Sequence, residues 1–300
     1  MDASLEVRRK TIISFFKKLR KSVLSFFFKY MKKYGLPVTL LIVSIIVVGV
    51  PLLMAVLWSL VNPDYPWSYP AVLPTHLSWF QWDNVFRYSD IVKAMATSFT
   101  LAPVVTIVSF LLSLPTAYVI GRYNFPGKEF TRIIILLPII LPGMVVGLFL
   151  SRVFGYVHLS QSFIGLVLGH TLMGIPFMLR LLSTSFEAIP KDIPDAAENL
   201  GANTFWKFKE IYLPMILPGI FAGAIFTFIT SLEEFNLTFV IGTPTFTTIP
   251  IVLFSYLGYK FVRTNAAVVA ILLMIPNAGL LFIADRFLKT DYLSTAYGKL

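Results

Sequence analysis

Six stretches of this chain are long enough and apolar enough to cross a lipid bilayer, and no other feature limits its possible folds so strongly. A helix needs about 20 apolar residues to span the hydrocarbon core. Residues 37–61, 94–121, 133–151, 162–182, 211–232 and 264–284 meet that requirement, and only the fourth stretch carries a charge, Arg180 near its end. The whole chain is 57% hydrophobic and 13% charged, where an ordinary soluble domain is about a quarter charged. So few charges cannot cover a water-soluble protein of this length. Backbone groups in lipid must be satisfied internally, and long continuous apolar runs do this as helices. The expected fold is therefore all-α: a polytopic membrane protein with six transmembrane helices.

Charge placement gives the orientation. Ten Lys and Arg residues lie between Arg8 and Lys33, ahead of the first apolar block. The links after the second and fourth stretches carry Arg122, Lys128 and Arg132, then Lys191, Lys207 and Lys209, and the tail carries Arg286, Lys289 and Lys299. The intervening links are poor in positive charge, and residues 62–93 are rich in aromatics, including Tyr65, Trp67, Tyr69, Trp79 and Trp82. By the positive-inside rule both termini face the cytoplasm. The net charge of +10 thus fits topology and anionic membrane lipid, and no nucleic-acid partner is expected. The basic start is too long for the n-region of a cleaved signal peptide. Residues 11–30 mix Phe, Ile and Leu with Lys and Arg at helical spacing, which predicts an amphipathic helix on the cytoplasmic membrane face.

The chain then divides into a basic N-terminal segment (1–34), a first helix with its external loop (35–93), a core (94–290) with a cytoplasmic loop (185–212), and a tail (291–300). Residues 235–259 lack charge but hold Gly242, Pro244, Pro250 and five threonines. That composition suits a turn-rich external loop, able to dip back into the protein, better than a seventh span. Prolines fall in every span (Pro51, Pro103, Pro115, Pro138, Pro142, Pro176, Pro218, Pro276) and are expected to bend them. Gly143/Gly147 and Gly219/Gly223 have the spacing of close helix approach.

Catalytic chemistry is missing. Gly121 to Glu129 has one residue too many between its glycines for a phosphate-binding loop, and Glu129 stands where a magnesium-binding Ser or Thr is needed. His76, His158 and His170 are scattered, and there is no cysteine. No catalytic residue, metal site or cofactor of the chain's own is expected.

The link between the fourth and fifth stretches stands apart as a long polar segment, SFEAIPKDIPDAAENLGANTFWKFKE over 185–210. Asp192 or Asp195 can cap a helix or sit in its first turn, where negative charge is favoured. Ala196, Ala197 and Leu200 continue it with a small, smooth side, and Gly201 ends it by taking the left-handed conformation. A small-faced helix projecting beside the membrane is suited to docking in a groove on a soluble partner.

Asp195-Ala196-Ala197, then Gly201 after three residues, Ile211 after nine more, and Leu213-Pro214, resembles the EAA loop of binding-protein-dependent ABC importer permeases. Asp195 replaces the family's Glu; every spacing agrees. The resemblance implies a type I ABC importer transmembrane domain in a bacterial plasma (inner) membrane. It implies a second permease subunit, related but different, and a dimer of ATPase subunits that binds ATP and Mg and receives the Asp195–Gly201 helix. It also implies an external solute-binding protein.

Ser231, Glu233-Glu234-Phe235-Asn236, Gly242-Thr243-Pro244 and Thr248-Ile249-Pro250 resemble the last third of polyamine (spermidine/putrescine) permeases. Permeases for ferric iron, thiamine and aminoalkylphosphonates share much of that pattern. The expected solute is a polyamine or a related cationic or small organic molecule, with Glu233, Glu234 and Asn236 contacting it or the binding protein. The rival class is an ion-gradient-driven secondary transporter, which would place ionisable residues inside several spans.

Overall fold

The computed structural model describes residues 34–68 and 70–289. The amphipathic helix expected over 11–30 and the tail expected over 291–300 lie outside the described residues. Helix α1 (Tyr34–Ser59) has 26 residues, and none of its most apolar stretch is buried. At 1.5 Å per residue it is about 39 Å long, enough to cross a bilayer. Its Leu, Ile and Val side chains are exposed on all sides, which is the surface a helix presents to lipid.

From Leu57 onward the chain forms a second unit. Its elements are α2 (Phe80–Tyr88), α3 (Ile91–Arg122), α4 (Lys128–Ile140), α5 (Gly143–Tyr156), α6 (Phe163–Glu187), α7 (Asp192–Asn199), α8 (Thr204–Lys207), α9 (Leu213–Glu233), α10 (Ile249–Phe254) and α11 (Arg263–Lys289). Helices α3, α6 and α9 pack on one another and carry the core. Ala117, Ile120, Leu182, Phe186, Tyr212 and Ile216 fill one end of it, and Leu101, Val105, Leu166, Met173, Leu237 and Ile241 fill the middle. A third cluster joins Val85 and Ile91 to Ile249, Tyr256 and Val269 of α10, α11 and their flanking turns.

Both glycine pairs sit at close approaches. A Cβ on Gly223 would lie 2.7 Å from Met178 Sδ on α6, and one on Gly219 would collide with Ser185. A Cβ on Gly143 would lie 3.0 Å from Asn236 Nδ2, and one on Gly147 3.3 Å from Val240 Cβ. The missing side chains let α9 seat against α6 and let the segment after α9 seat against α5.

The third expected span, 133–151, is not one straight helix. It is α4 and α5, bent by 97° at Leu141-Pro142. Proline disfavours helical backbone at the preceding residue, and Leu141 is extended (φ −77°, ψ 141°). The other described prolines inside spans leave their helices continuous: Pro51 in α1, Pro103 and Pro115 in α3, Pro138 in α4, Pro176 in α6, Pro218 in α9 and Pro276 in α11. Only a proline whose predecessor has left the helix breaks the span.

Residues 235–259 form no open loop. A π-helical turn (Thr238–Gly242), α10 and a second π-helical turn (Ser255–Tyr259) fold back into the bundle. Leu237, Ile241, Ile249, Val252 and Tyr256 are buried there. The apolar half of this segment, which made it look like a span, is core.

Candidate functional site

The polar link between α6 and α9 is fixed at its root by arginine. Arg122, the last residue of α3, donates through Nη1 to the carbonyls of Ile189 at 2.6 Å and Phe186 at 3.4 Å. Its guanidinium also lies 5.5 Å from the centroid of the Tyr212 ring. A cation at a helix C-terminus meets the negative end of the helix dipole, and here it joins three elements at once. Glu187, at the end of α6, accepts from Arg132 of α4 and stands 3.7 Å from Lys128 Nζ. Arg122→Gln is expected to cost about 1.5–3 kcal/mol, the worth of hydrogen bonds from a charged donor. Thermal unfolding of the purified chain would register it, and an unchanged midpoint would show that the carbonyls are satisfied by water.

The link itself begins with α7. The N-cap position is Lys191, which makes no side-chain capping hydrogen bond, so Asp192 and Asp195 do not cap α7 but lie in its first turn, where their charge meets the positive end of the helix dipole. The helix ends as a Schellman motif: Ala202 N–H donates to Ala197 O at 3.0 Å and Gly201 N–H to Glu198 O at 2.9 Å. Gly201 is left-handed with φ +86°, the conformation expected of it. Ile193, Ala196 and Leu200 are exposed at spacings of three and four, on one face, and Leu200 is 89% exposed. Ala197 is half-buried. The open small residue of the face is therefore Ala196.

Asn203 then caps α8, its Oδ1 accepting from Trp206 N–H at 2.9 Å. Lys207 Nζ reaches back 2.7 Å to Glu198 Oε2, tying α8 to α7. That hydrogen bond from Lys207 holds the Glu198 carboxyl below its ordinary range. A π-helical turn (Phe208–Tyr212) follows, with Leu213 N–H donating to Phe208 O. Pro214 has no N–H to give the next helical bond, and the ladder widens just ahead of it. Ile211, Leu213 and Pro214 thus belong to the long helix Thr204–Glu233 rather than to the α7 face.

At the far end of α9 the two carboxylates diverge. Glu233 Oε1 accepts from Asn277 Nδ2 on α11 at 2.6 Å. Glu234 Oε1 accepts from Leu237 N–H at 2.9 Å, capping the next turn. Asn236 packs on Gly143. Beside them His170 of α6, 1% exposed, bridges Ser231 Oγ at 3.0 Å and Thr238 Oγ1 at 2.9 Å. Its partners are 61 and 68 residues away, so no local spacing marks it, and by sequence it looks isolated.

Residues 110–290 match the family of binding-protein-dependent transport system inner membrane components. The chain belongs to that family. Among related permeases, a probable molybdenum ABC transporter permease of Haloferax volcanii is 29% identical over 51% of this chain and 60% of its own length. The sulfate transport system permease CysT of Salmonella typhimurium is 27% identical over 54% of this chain and 63% of its own. The diacetylchitobiose uptake permease NgcG of Streptomyces coelicolor is 30% identical over 68% of each chain. The first of these matches thus spans about three fifths of the relative's length. These relatives are named for molybdenum, sulfate and a chitobiose derivative, not for polyamines.

The chain has the fold of type I ABC importer membrane domains. A bacterial ABC transporter involved in the import of alginate superposes with TM-score 0.67 at 16% identity, covering 85% of this chain and 96% of that one. The MetNI methionine transporter in an inward-facing conformation gives 0.56 at 19% identity, covering 65% and 93%. In this chain, then, the residues singled out by sequence fall on α7 and its glycine end, on the turn that leads into α9, and at the far end of α9. Arg122 and His170, which anchor these regions, are visible only in three dimensions.

Proposed function

We propose that this chain is the translocating subunit of an ATP-driven importer, with α7 as the element that couples it to an ATPase. One observation carries the reading: a short helix held rigidly by Arg122, Lys207 and a Schellman end offers an exposed apolar face (Ile193, Ala196, Leu200). The same end of the bundle gathers Arg122, Lys128, Arg132, Lys207 and Lys209, which makes it the cytoplasmic end. ATP and Mg bind the partner ATPase dimer, and this chain contributes no catalytic residue. A second permease subunit completes the path across a bacterial inner membrane, and both termini are cytoplasmic.

Asp195, Ala196, Ala197 and Gly201 shape the docking helix, while Ile211, Leu213 and Pro214 transmit its movement into α9. The π-helical turn before Pro214 is the natural hinge, since such turns recur at functional sites. ATP binding below and a loaded binding protein above then bias one two-state arrangement of the spans. Glu233, Glu234 and Asn236, at the opposite end of α9, face the side from which that binding protein delivers its solute. Each carboxylate already has a hydrogen-bond partner within the chain, so the pair is poorly placed to hold a polyamine. Similar relatives are named for unlike solutes, which supports leaving solute choice to the binding protein.

Purification of the chain from native membranes tests this. An ATPase subunit should come with it, and its ATP hydrolysis should rise when the solute-loaded binding protein is added. Uptake by the isolated chain under a proton or sodium gradient would replace this reading with a secondary transporter.

A further inference from the structure

We propose that Arg180 lines the inner part of the solute path and gives it a positive charge that favours anionic over cationic solutes. This rests on the importer reading above. Helix α6 is the central helix of the second unit: 61% of its most apolar stretch is buried, against 28% in α3 and 33% in α11. Arg180 is exposed on its open strip, seven residues before Glu187, which is about 10 Å inside the helix end.

Two clefts meet at Arg180. One, of about 250 Å³, lies between α4 and α6 and is lined by Arg132, Leu136, Thr184 and Glu187 among others. The other, of about 210 Å³, is bounded by Ile139, Phe177 and Phe226. Phe177 of α6 and Phe226 of α9 stack there with ring centroids 6.5 Å apart and planes 10° apart.

The charges of the first cleft do not cancel. Glu187 is taken by Arg132, with Lys128 beyond it, and Arg132 also pairs with Glu129 at 2.8 Å. The hydroxyls of Ser183 and Thr184 both donate to the Arg180 carbonyl, at 3.0 and 2.9 Å. Among the described residues, none pairs with the Arg180 guanidinium. A lone guanidinium beside Ile135, Leu136 and Pro176 is costly unless water or an anion meets it. Ionisable groups at this depth face water-filled cavities or the bundle interior and mark solute paths. The lipid-facing surface of this chain looks different: α1 has no charged residue from Leu36 to Ser59.

The chain has no cysteine, so Thr184→Cys puts a single thiol one turn from Arg180, on the same face and exposed in the same cleft. In unsealed membrane fragments holding the full chain, two methanethiosulfonate reagents are compared, the anionic sulfonatoethyl and the cationic trimethylammonioethyl forms. Rates are normalised to those with free 2-mercaptoethanol. The anionic reagent should be favoured roughly five- to tenfold, the effect of one nearby charge in a partly wet site. Arg180→Gln on that background should remove the preference, and Arg180→Lys should keep it, which separates lost charge from lost folding. Equal normalised rates, or a preference untouched by Arg180→Gln, would overturn the proposal. So would labelling by membrane-permeant N-ethylmaleimide with no reaction from either charged reagent, which would put this face against lipid. None of these reactions needs an ATPase, so such a result leaves the importer reading to its own test.

Discussion

Leu200→Asp is expected to abolish ATP-coupled uptake while the chain still folds and inserts. Leu200 is 89% exposed, so the folded chain alone loses almost no burial. In the complex its side chain would be covered by the ATPase, and burying a leucine is worth about 1.5–3 kcal/mol. Aspartate forfeits that and adds the desolvation of an unpaired carboxylate. The two together weaken ATPase binding by roughly 100-fold or more at 1.36 kcal/mol per factor of ten. Leu200→Ala, which loses only the burial, should cost roughly tenfold or somewhat more. The readouts are the ATPase retained on affinity-purified chain and the ATP hydrolysis stimulated by binding protein. Full retention in Leu200→Asp would move the docking surface off α7. Gly201→Val should act on the same surface by another route. There is open space around Gly201, but a side chain at φ +86° strains the backbone by about 1–2 kcal/mol and tilts the α7 end. Its effect should therefore be smaller than that of the aspartate.

The largest loss of stability is expected from Gly174→Leu. Gly174 lies on α6 where α3 and α9 both press in: a Cβ there would be 2.6 Å from Thr227 Cγ2 and 3.0 Å from Ser109 Oγ. Thr227 also leans its hydroxyl toward the Gly174 carbonyl, at 3.4 Å. A leucine at this crossing must push two helices away from a third. Overpacking a tight core costs about 1–3 kcal/mol and sometimes more, and separating helices also forfeits the contacts of their neighbours. The variant should show a lowered unfolding temperature and poor recovery of monodisperse protein in detergent. Gly155→Leu is the control, since no atom lies within 4 Å of where its Cβ would be. Equal loss in both variants would mean that leucine at any of these glycines is harmful and that the crossing is not special.

Much of the architecture was legible because lipid imposes a simple rule. Apolar runs of about 20 residues have few alternatives to spanning helices, and five appear as single helices close to their expected limits. The sharp turn at Leu141-Pro142 was harder to foresee, because Pro138, Pro142 and six other prolines look alike in a linear pattern. What separates them is the backbone of the preceding residue, and neighbouring packing decides that. The same holds for 235–259. Its glycines, prolines and threonines pointed correctly away from a seventh span, but its burial depends on α3, α9 and α11 closing around it.

The polar loop between α6 and α9 was legible for a different reason. A helix start, a helix end and the glycine between two helices are local events, encoded within a few residues at Asp192, Asp195, Gly201 and Asn203. Which residues of that helix stay open is set by its neighbours, so Ala196 rather than Ala197 joins the exposed face.

Membrane character, the number of apolar runs and the form of the α7 loop were thus determined by sequence alone, since each follows from the solvent or from short-range backbone preference. The tertiary structure decided the bend in the third span, the Arg122 and His170 anchorages and the solitary Arg180. Each of those depends on groups far apart in the chain that meet only when α3, α6 and α9 pack together, and no spacing rule connects residues brought together in that way.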